Sequence, residues 1–417
     1  MKSRIYSKFV SWIFILVLLL CSAAILSCGS NAETLEYKIN SDGTTCTITG
    51  IGNYSSDNLI IPYNIGNYRV TAIADYAFQG TNIITFSATD ALTKIGKGAF
   101  YNCKQLKTVT IPSEIVEISE SCFSNCENLN IVNLPTNLKI IGKSAFARCF
   151  DIVNIYIPDS VVEIGPYAFE SCESLLSIEI PSEIQIVEPA TFLNCFSLGS
   201  VLLPSELLEI GNMAFEGCET LVSVNIPNTV AKIGDYAFAG CLLLPEIVIP
   251  DSVTQIGNNA FSGCINLKDI YIPSSVELIG VAPFHYTNLD SIDVDINNTN
   301  LSSIDGNLYF VDETIFVNYA CGKTNPSFEI PNSVTKIWSM AFSGCFNLNT
   351  IYIPQSVDYI GNYIFYASPN IETVYYDGKI SEWKAIQKTL SWKITPSVFT
   401  IICTDGTIAM DGTVTYN

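Results

Sequence analysis

The side chains able to carry chemistry are fifteen cysteines, one histidine and a scattered set of carboxylates. Nucleophilic catalysis by serine or cysteine usually needs a neighbouring base such as histidine, and the chain offers only His285. This histidine follows Phe284 and is better explained as a structural residue. No glycine-rich loop followed by Lys-Ser or Lys-Thr is present, so phosphate binding of that type is not predicted. We therefore expect neither an enzyme nor a bound cofactor.

Most of the cysteines share one spacing. In a secreted protein, many cysteines usually indicate a disulfide framework. Here nine of the fifteen occupy one position of a repeat and define a cysteine ladder: Cys103, Cys126, Cys149, Cys172, Cys195, Cys218, Cys241, Cys264 and Cys345. Stacked inward, a reduced cysteine acts as a small hydrophobe. We predict a reduced ladder, because parallel Cβ vectors suit disulfide geometry poorly even where neighbouring rungs are close.

Three further cysteines, Cys46, Cys321 and Cys403, lie outside this ladder. A disulfide between Cys321 and Cys403 is left as an open alternative. No Cys-x-x-Cys pair is present, and the single histidine cannot complete a common zinc ligand set, so no metal site is predicted.

The charge balance argues against nucleic acid as a partner. Acidic residues outnumber basic ones 40 to 20, which gives a net charge of −20, whereas phosphate backbones require a basic face. Glu183 and Glu206 both follow Pro-Ser, one repeat apart. Their recurrence favours a solvated acidic edge over a carboxylate pair for acid–base catalysis.

A repeat of 23 residues positions all of these groups. Its clearest unit is Leu106–Cys126, and its most regular marker is a proline: Pro112, Pro135, Pro158, Pro181, Pro204, Pro227, Pro250 and Pro273. The marker resumes at Pro331 and Pro354. A fixed period between about 20 and 50 residues indicates a solenoid of stacked coils.

Within one coil, numbered from Leu106 as position 1, apolar residues predict two short strands. Val109 and Ile111, at positions 4 and 6, share one strand face, and Pro112 ends that strand. A second strand is predicted at positions 10–13, followed in most coils by a turn glycine. Like positions should stack in one internal spine: Phe78, Phe100, Phe123, Phe146, Phe169, Phe192, Phe215, Phe238, Phe261, Phe284, Phe342 and Phe365.

The pattern L-x-x-I-x-I-P-x-x-V-x-x-I-G-x-x-A-F-x-x-C resembles the BspA-like class of leucine-rich repeats over roughly residues 60–376. The resemblance implies a bacterial cell-surface protein. Several proteins of this class are implicated in adhesion to host matrix proteins and to other cells. It specifies the fold far better than the ligand.

We predict a repeat solenoid: a leucine-rich-repeat-like, β-rich right-handed coil with short parallel strands, terminal caps and one β-hairpin insertion. The predicted boundaries are a lipoprotein-type signal peptide at 1–27, an N-terminal cap at 28–59, repeats at 60–292, a hairpin insertion at 293–329, repeats at 330–376 and a C-terminal cap at 377–417. Alternation around Asp42-Gly43 predicts a hairpin in the N-terminal cap. In the C-terminal cap, Ser381 should start a helix that continues to Leu390.

The insertion interrupts the phase of the repeat. Its two apolar runs, within 304–310 and 314–319, predict a β-hairpin. Two interpretations stay open: a loop tolerated at the surface, and a protrusion that shapes a binding face. In the C-terminal cap, Trp383 and Trp392 are interpreted as cap core rather than ligand contacts.

The N-terminus predicts export. Lys2, Arg4 and Lys8 precede an apolar run and then small residues, which is typical of a signal peptide; a short membrane anchor is the alternative. The sequence Ile25–Gly29 resembles a lipobox, in which Cys28 becomes the lipidated first residue; ordinary cleavage is the alternative. Acyl chains on Cys28 would anchor the protein without a transmembrane helix. We expect a cell-surface location, with the outer membrane favoured, or else secretion.

Position 5 of the coil lies between two core residues and should point to solvent. In successive coils it is Thr110, Asn133, Tyr156, Glu179, Leu202, Asn225, Val248 and Tyr271, and later Tyr352 and Tyr375. The apolar members, Tyr156, Leu202, Val248, Tyr271, Tyr352 and Tyr375, are the candidate ligand-binding residues, because tyrosine is enriched at interfaces. Alternatively, such neighbours only stabilise a parallel ladder. The partner would be a host-matrix or cell-surface protein, or a glycan; a passive envelope or spacer role is the other alternative.

Overall fold

The computed structural model describes residues 35–417, so the predicted signal peptide and Cys28 lie outside the described residues. The described chain is a parallel β-solenoid with coils of about 23 residues, which confirms the predicted repeat solenoid. Within residues 35–417 the sole helix is α1 (Ile380–Ala385). That part of the chain holds no helix long and apolar enough to cross a membrane.

Two ladders of strands run along the solenoid. The first ladder lies at positions 3–6 and comprises Asn58–Ile61, Thr85–Ala88, Thr108–Thr110, Ile131–Asn133, Ser177–Glu179, Ser200–Leu202, Ser223–Val224, Asp269–Ile272, Ser291–Val294, Ser327–Glu329, Thr350–Ile353, Thr373–Tyr376 and Thr400–Cys403. The second ladder comprises Tyr68–Ile73, Lys94–Ile95, Glu117–Ile118, Ile140–Ile141, Glu163–Ile164, Ile186–Val187, Glu209–Ile210, Lys232–Ile233, Gln255–Ile256, Leu278–Ile279, Ile315–Asn318, Lys336–Ile337, Tyr359–Ile360 and Gln387–Lys388.

The register of both ladders is set by the repeat. Thr108 pairs with Ile131 and Glu209 pairs with Lys232, each time residues one repeat apart. Each side chain in the regular coils therefore stacks on its counterpart. Because successive strand residues point to opposite faces, Val109 is buried while Thr110 is exposed.

The caps close the two ends of the stack. Glu36–Ile39 pairs antiparallel with Thr45–Gly50, which confirms the N-terminal hairpin. At the other end, Gly406–Ile408 pairs antiparallel with Thr400–Cys403 and with Val414–Tyr416. Such hairpins cover strand edges and core that an open solenoid end would expose.

The short C-terminal helix predicted from Ser381 to Leu390 forms, but its predicted end is wrong. Helix α1 ends at Ala385, and Ile386 is already extended, with φ −55° and ψ 130°. Gln387–Lys388 then joins the second ladder beside Tyr359–Ile360, and Leu390 is fully exposed. Parallel pairing with an open ladder edge thus replaces the last helical turn. Trp383 is buried and packs against Trp392, as expected for cap core.

The phenylalanine spine forms as predicted from Phe78 to Phe284. From Phe100 onward, consecutive rings stack with centroids 5.2–5.9 Å apart and planes within 18°. The expectation of one uninterrupted spine is wrong, because Phe316 and Tyr319 of the insertion enter between Phe284 and Phe342. The apolar core of the described chain divides there into two clusters.

The insertion is a three-stranded meander. Leu301–Ile304 pairs antiparallel with Asn307–Phe310, which pairs antiparallel with Ile315–Asn318. The last strand then continues parallel to Lys336–Ile337 in the second ladder. Leu308 and Phe316 are fully buried, so these strands pack into the stack. The predicted β-hairpin is therefore confirmed, but it is neither a loose surface loop nor a protrusion.

The glycine after the second strand has a different cause from the predicted turn. A Cβ on Gly234 would lie 2.6 Å from the backbone nitrogen of Asn212 in the preceding coil. Close approach of two coils, rather than a left-handed backbone, therefore favours glycine at this position. Left-handed residues occur later in each coil, as at Ser121 (φ 54°) and Asn125 (φ 59°).

Candidate interaction surface

The outward side of the first ladder carries all six candidate ligand-binding residues. Flanking positions 4 and 6 are buried, which turns position 5 to solvent, as Ile270 and Ile272 do for Tyr271. The exposed fractions are 68% for Tyr156, 58% for Leu202, 76% for Val248, 51% for Tyr271, 42% for Tyr352 and 37% for Tyr375. Large apolar side chains thus remain exposed along this side of the solenoid.

These six residues do not form one continuous patch. Tyr156, Leu202 and Val248 are separated from each other by Glu179 and Asn225, which occupy the intervening coils. Val248 and Tyr271 lie on consecutive coils. The surface therefore alternates apolar and polar side chains over its central part.

Tyr271 is held by its neighbouring coil. Its hydroxyl donates a hydrogen bond of 2.5 Å to Oδ2 of Asp295. This bond lowers the pKa of Asp295 and, together with partial desolvation, raises the pKa of Tyr271. The hydroxyl group of Tyr271 is thus already hydrogen-bonded within the protein, while its ring stays exposed.

Tyr352 and Tyr375 are the one pair of the six that the fold brings into ring contact. Their strands pair in parallel register, and the rings stack with centroids 4.8 Å apart and an interplanar angle of 9°. Both rings line a groove of about 420 Å³ at the C-terminal end of the first ladder. We call this the C-terminal groove.

The C-terminal groove lies between two rows of residues. One row, at position 5, is Glu329, Tyr352, Tyr375 and Ile402; the other, at position 7, includes Pro354, Asp377 and Thr404. The floor is made by the buried residues between the rows: Ile330, Ile353, Tyr376 and Cys403. A groove of this size and composition suits a side chain or small ligand.

The sequence analysis missed the two carboxylates of this groove, Glu329 and Asp377. A signal for Asp377 existed, since it stands where the repeat has Pro354 one coil earlier. A signal for Glu329 existed as well, since it stands two residues before Pro331 and one repeat before Tyr352.

The cysteine ladder is buried and its first eight members are free thiols. Each thiol donates to the carbonyl of the phenylalanine one coil earlier, as Cys195 does to Phe169 at 3.2 Å. Burial raises the pKa of Cys195 to about 12 and that of Cys264 to about 12. A nucleophile needs a thiolate, so Cys195 and Cys264 serve structure rather than catalysis.

Hydroxyl residues replace the thiol where the ladder changes. Ser368 donates to the carbonyl of Phe342 at 2.6 Å, in the same way as the cysteines. Thr287, in the altered coil before the insertion, donates instead to the carbonyl of Phe284 at 2.7 Å. The position therefore requires a small side chain with a hydrogen-bond donor.

The prediction of a fully reduced ladder is wrong at its last rung. Cys345 forms a disulfide with Cys321, whose Cα atom lies 4.6 Å away. The insertion shortens its coil and carries Cys321 onto the neighbouring rung, so a Cys321–Cys403 bond does not form and Cys403 is free.

His285 and the acidic residues form no metal-binding cluster in the described chain. Burial lowers the pKa of His285, whose ring packs against Tyr286 and Tyr366. Residues 35–417 contain no group of three or more His, Cys, Asp or Glu side chains able to hold a metal ion.

Comparison with known proteins agrees with the repeat pattern. The profile of the "BspA type Leucine rich repeat region" family matches residues 71–198, 185–310 and 311–385. A leucine-rich repeat protein from Bacteroides ovatus is 25% identical, with a TM-score of 0.65 over 88% of this chain and 98% of that chain. A leucine-rich cell surface protein from Faecalibacterium prausnitzii is 27% identical, with a TM-score of 0.56 over 85% of this chain and 96% of that chain. Among curated proteins, no relative matches.

Proposed function

Because the chain belongs to the BspA-type leucine-rich repeat family, we propose that it is a cell-surface module that binds proteins through the outward side of its first ladder. The partner is a protein of a host matrix or of another cell. The observation that supports this most directly is the set of six large apolar side chains held exposed along one side of a rigid stack.

The fixed positions of these exposed side chains favour binding to a protein partner. Leu202, Tyr352 and Tyr375 lie in strands that are paired in parallel on both sides, as Leu202 is between the coils of Glu179 and Asn225. Little conformational entropy is lost when a partner contacts side chains that are already ordered. Tyrosine adds a large contact area with a polar tip. Repeat solenoids generally use such extended surfaces for binding.

The experiment is capture of protein partners by the full chain, followed by mass spectrometry and by titration of each captured partner. A variant with serine at Tyr156, Tyr271, Tyr352 and Tyr375 should lose at least about tenfold in affinity, since interface tyrosines are frequent hot spots. The matched control carries serine at three tyrosines outside the first ladder that are 37–45% exposed: Tyr76, Tyr236 and Tyr363. Equal binding by both variants would contradict the assignment of this surface, and the absence of any saturable partner would favour a passive spacer.

Anchoring through Cys28 is part of the proposal. The lipobox-like Ile25–Gly29 supports it, and dual acylation gives stable attachment. Metabolic labelling with an alkynyl fatty acid should mark the wild-type chain and leave a Cys28→Ser variant unlabelled. Equal labelling of the two chains would refute lipidation at this residue.

A further inference from the structure

The C-terminal groove places a carboxylate beside an aromatic pair. Parallel register puts Glu329 directly next to Tyr352, and puts Ile402 next to Tyr375. Adjacent strands are about 4.8 Å apart. One face of the Tyr352 ring is covered by Tyr375, so its other face looks toward the coil of Glu329.

A second carboxylate enters from the opposite wall. Asp377 replaces the proline that ends the strand in the preceding coil, Pro354. Glu329 and Asp377 are both exposed. Within residues 35–417 neither carboxylate has an ion pair or a side-chain hydrogen bond. The groove lining contains no lysine, arginine or histidine, so nothing in it neutralises these charges.

We propose that the C-terminal groove binds a lysine or arginine side chain presented by a protein partner, a refinement that rests on the proposed protein-binding function. A cation is attracted both by the carboxylates and by the face of a tyrosine ring within about 6 Å of its centroid. The net charge of −20 on the whole chain draws cationic partners to the surface. A groove of about 420 Å³ accommodates one long side chain and its flanking backbone.

The aromatic pair and the two carboxylates contact different parts of the bound side chain. The Tyr352–Tyr375 stack offers an apolar surface to the methylene stem of a lysine or arginine, because such stems pack on apolar groups while the charged head stays polar. Glu329 and Asp377 accept hydrogen bonds from that charged head. An acetylated lysine retains the stem and loses the charge, so it separates the two contributions.

The test is fluorescence anisotropy of a labelled tetralysine peptide titrated with the full chain. We expect saturable binding that weakens with salt. The double variant Glu329→Gln, Asp377→Asn should weaken it at least about tenfold, which corresponds to about 1.4 kcal/mol. The matched control Glu183→Gln, Glu206→Gln removes the same charge elsewhere on the protein. It should change the affinity for tetralysine by less than about twofold. Tetra(acetyl-lysine) should not compete.

The outcomes separate this proposal from the function on which it rests. Equal weakening in the groove variant and the charge control, or equal binding of acetylated peptide, overturns the cation site. Protein capture that survives Glu329→Gln, Asp377→Asn but is lost in the tyrosine variant also overturns it and leaves the protein-binding function intact. If the chain binds a glycan saturably and does not bind tetralysine, the cation site is overturned in favour of a sugar site. Loss of tetralysine binding in Tyr352→Leu, with an unchanged circular dichroism spectrum, supports the ring contact.

Discussion

Truncation of Phe192 to alanine tests whether the phenylalanine spine dominates the stability of the coils. Phe192 is fully buried and stacks on Phe169 at 5.6 Å and on Phe215 at 5.5 Å. Removing a buried phenylalanine ring costs about 3–5 kcal/mol. Each lost ring stack is worth about 0.5–1.5 kcal/mol beyond burial, so we expect a value of about 4–5 kcal/mol, at the upper end of the range.

The assay is a guanidinium titration followed by far-UV circular dichroism, with a double-mutant cycle. Phe192→Ala combined with Phe215→Ala should show a coupling energy of about 0.5–1.5 kcal/mol, because the two rings touch. Phe192→Ala combined with Phe261→Ala should be additive within about 0.5 kcal/mol, because two rungs separate them. A loss below about 1.5 kcal/mol for the single variant, or equal coupling in the two pairs, would refute a spine built from pairwise stacks.

Substitutions of glycine residues and of Cys195 test local features of the coil. Gly234→Ala should destabilise by about 1–3 kcal/mol through overpacking against the preceding coil. A Cβ on Gly240 would lie 3.6 Å from Gly217, an ordinary contact, and its φ is +72°, so Gly240→Ala should cost only about 1 kcal/mol of backbone strain. Equal losses in thermal melts would contradict the close-approach explanation. Cys195→Ser should retain the donor to Phe169, as Ser368 does in a later coil, and should be more stable than Cys195→Ala by about 0.5–1.5 kcal/mol in urea titrations. The raised pKa of Cys195, to about 12, also predicts that this thiol stays protonated and unreactive toward a thiol reagent at pH 8 until the chain unfolds; rapid labelling of the folded chain would contradict its burial.

The regular coils were predictable because the same residue pattern recurs in coil after coil. Residues such as Phe192 recur at one spacing with one chemistry, so their stacking follows from the repeat alone. Even the hydrogen bond of Cys195 could have been suspected, since Ser368 takes its place later in the chain.

The failures occur where the repeat stops constraining the chain. Helical periodicity around Trp383 favoured a helix to Leu390. Instead, Gln387–Lys388 pairs as a strand with the open edge of the second ladder. Nothing in the sequence reveals that the insertion sinks into the stack, or that its shortened coil brings Cys321 against Cys345. The groove walls, by contrast, follow the regular phase, because Glu329 lies one whole repeat before Tyr352 and pairs with it in register.

The register of the ladders has a consequence for how such a gene changes length. Since each residue in the regular coils stacks on the one a whole repeat away, unequal recombination that duplicates or deletes one entire repeat preserves the spine, the cysteine ladder and the strand pairing together. A coil that is one residue shorter still has to keep this alignment, as does the coil that pairs Ile73 with Ile95 and stacks Phe78 on Phe100. The solenoid can therefore lengthen or shorten in steps of one coil.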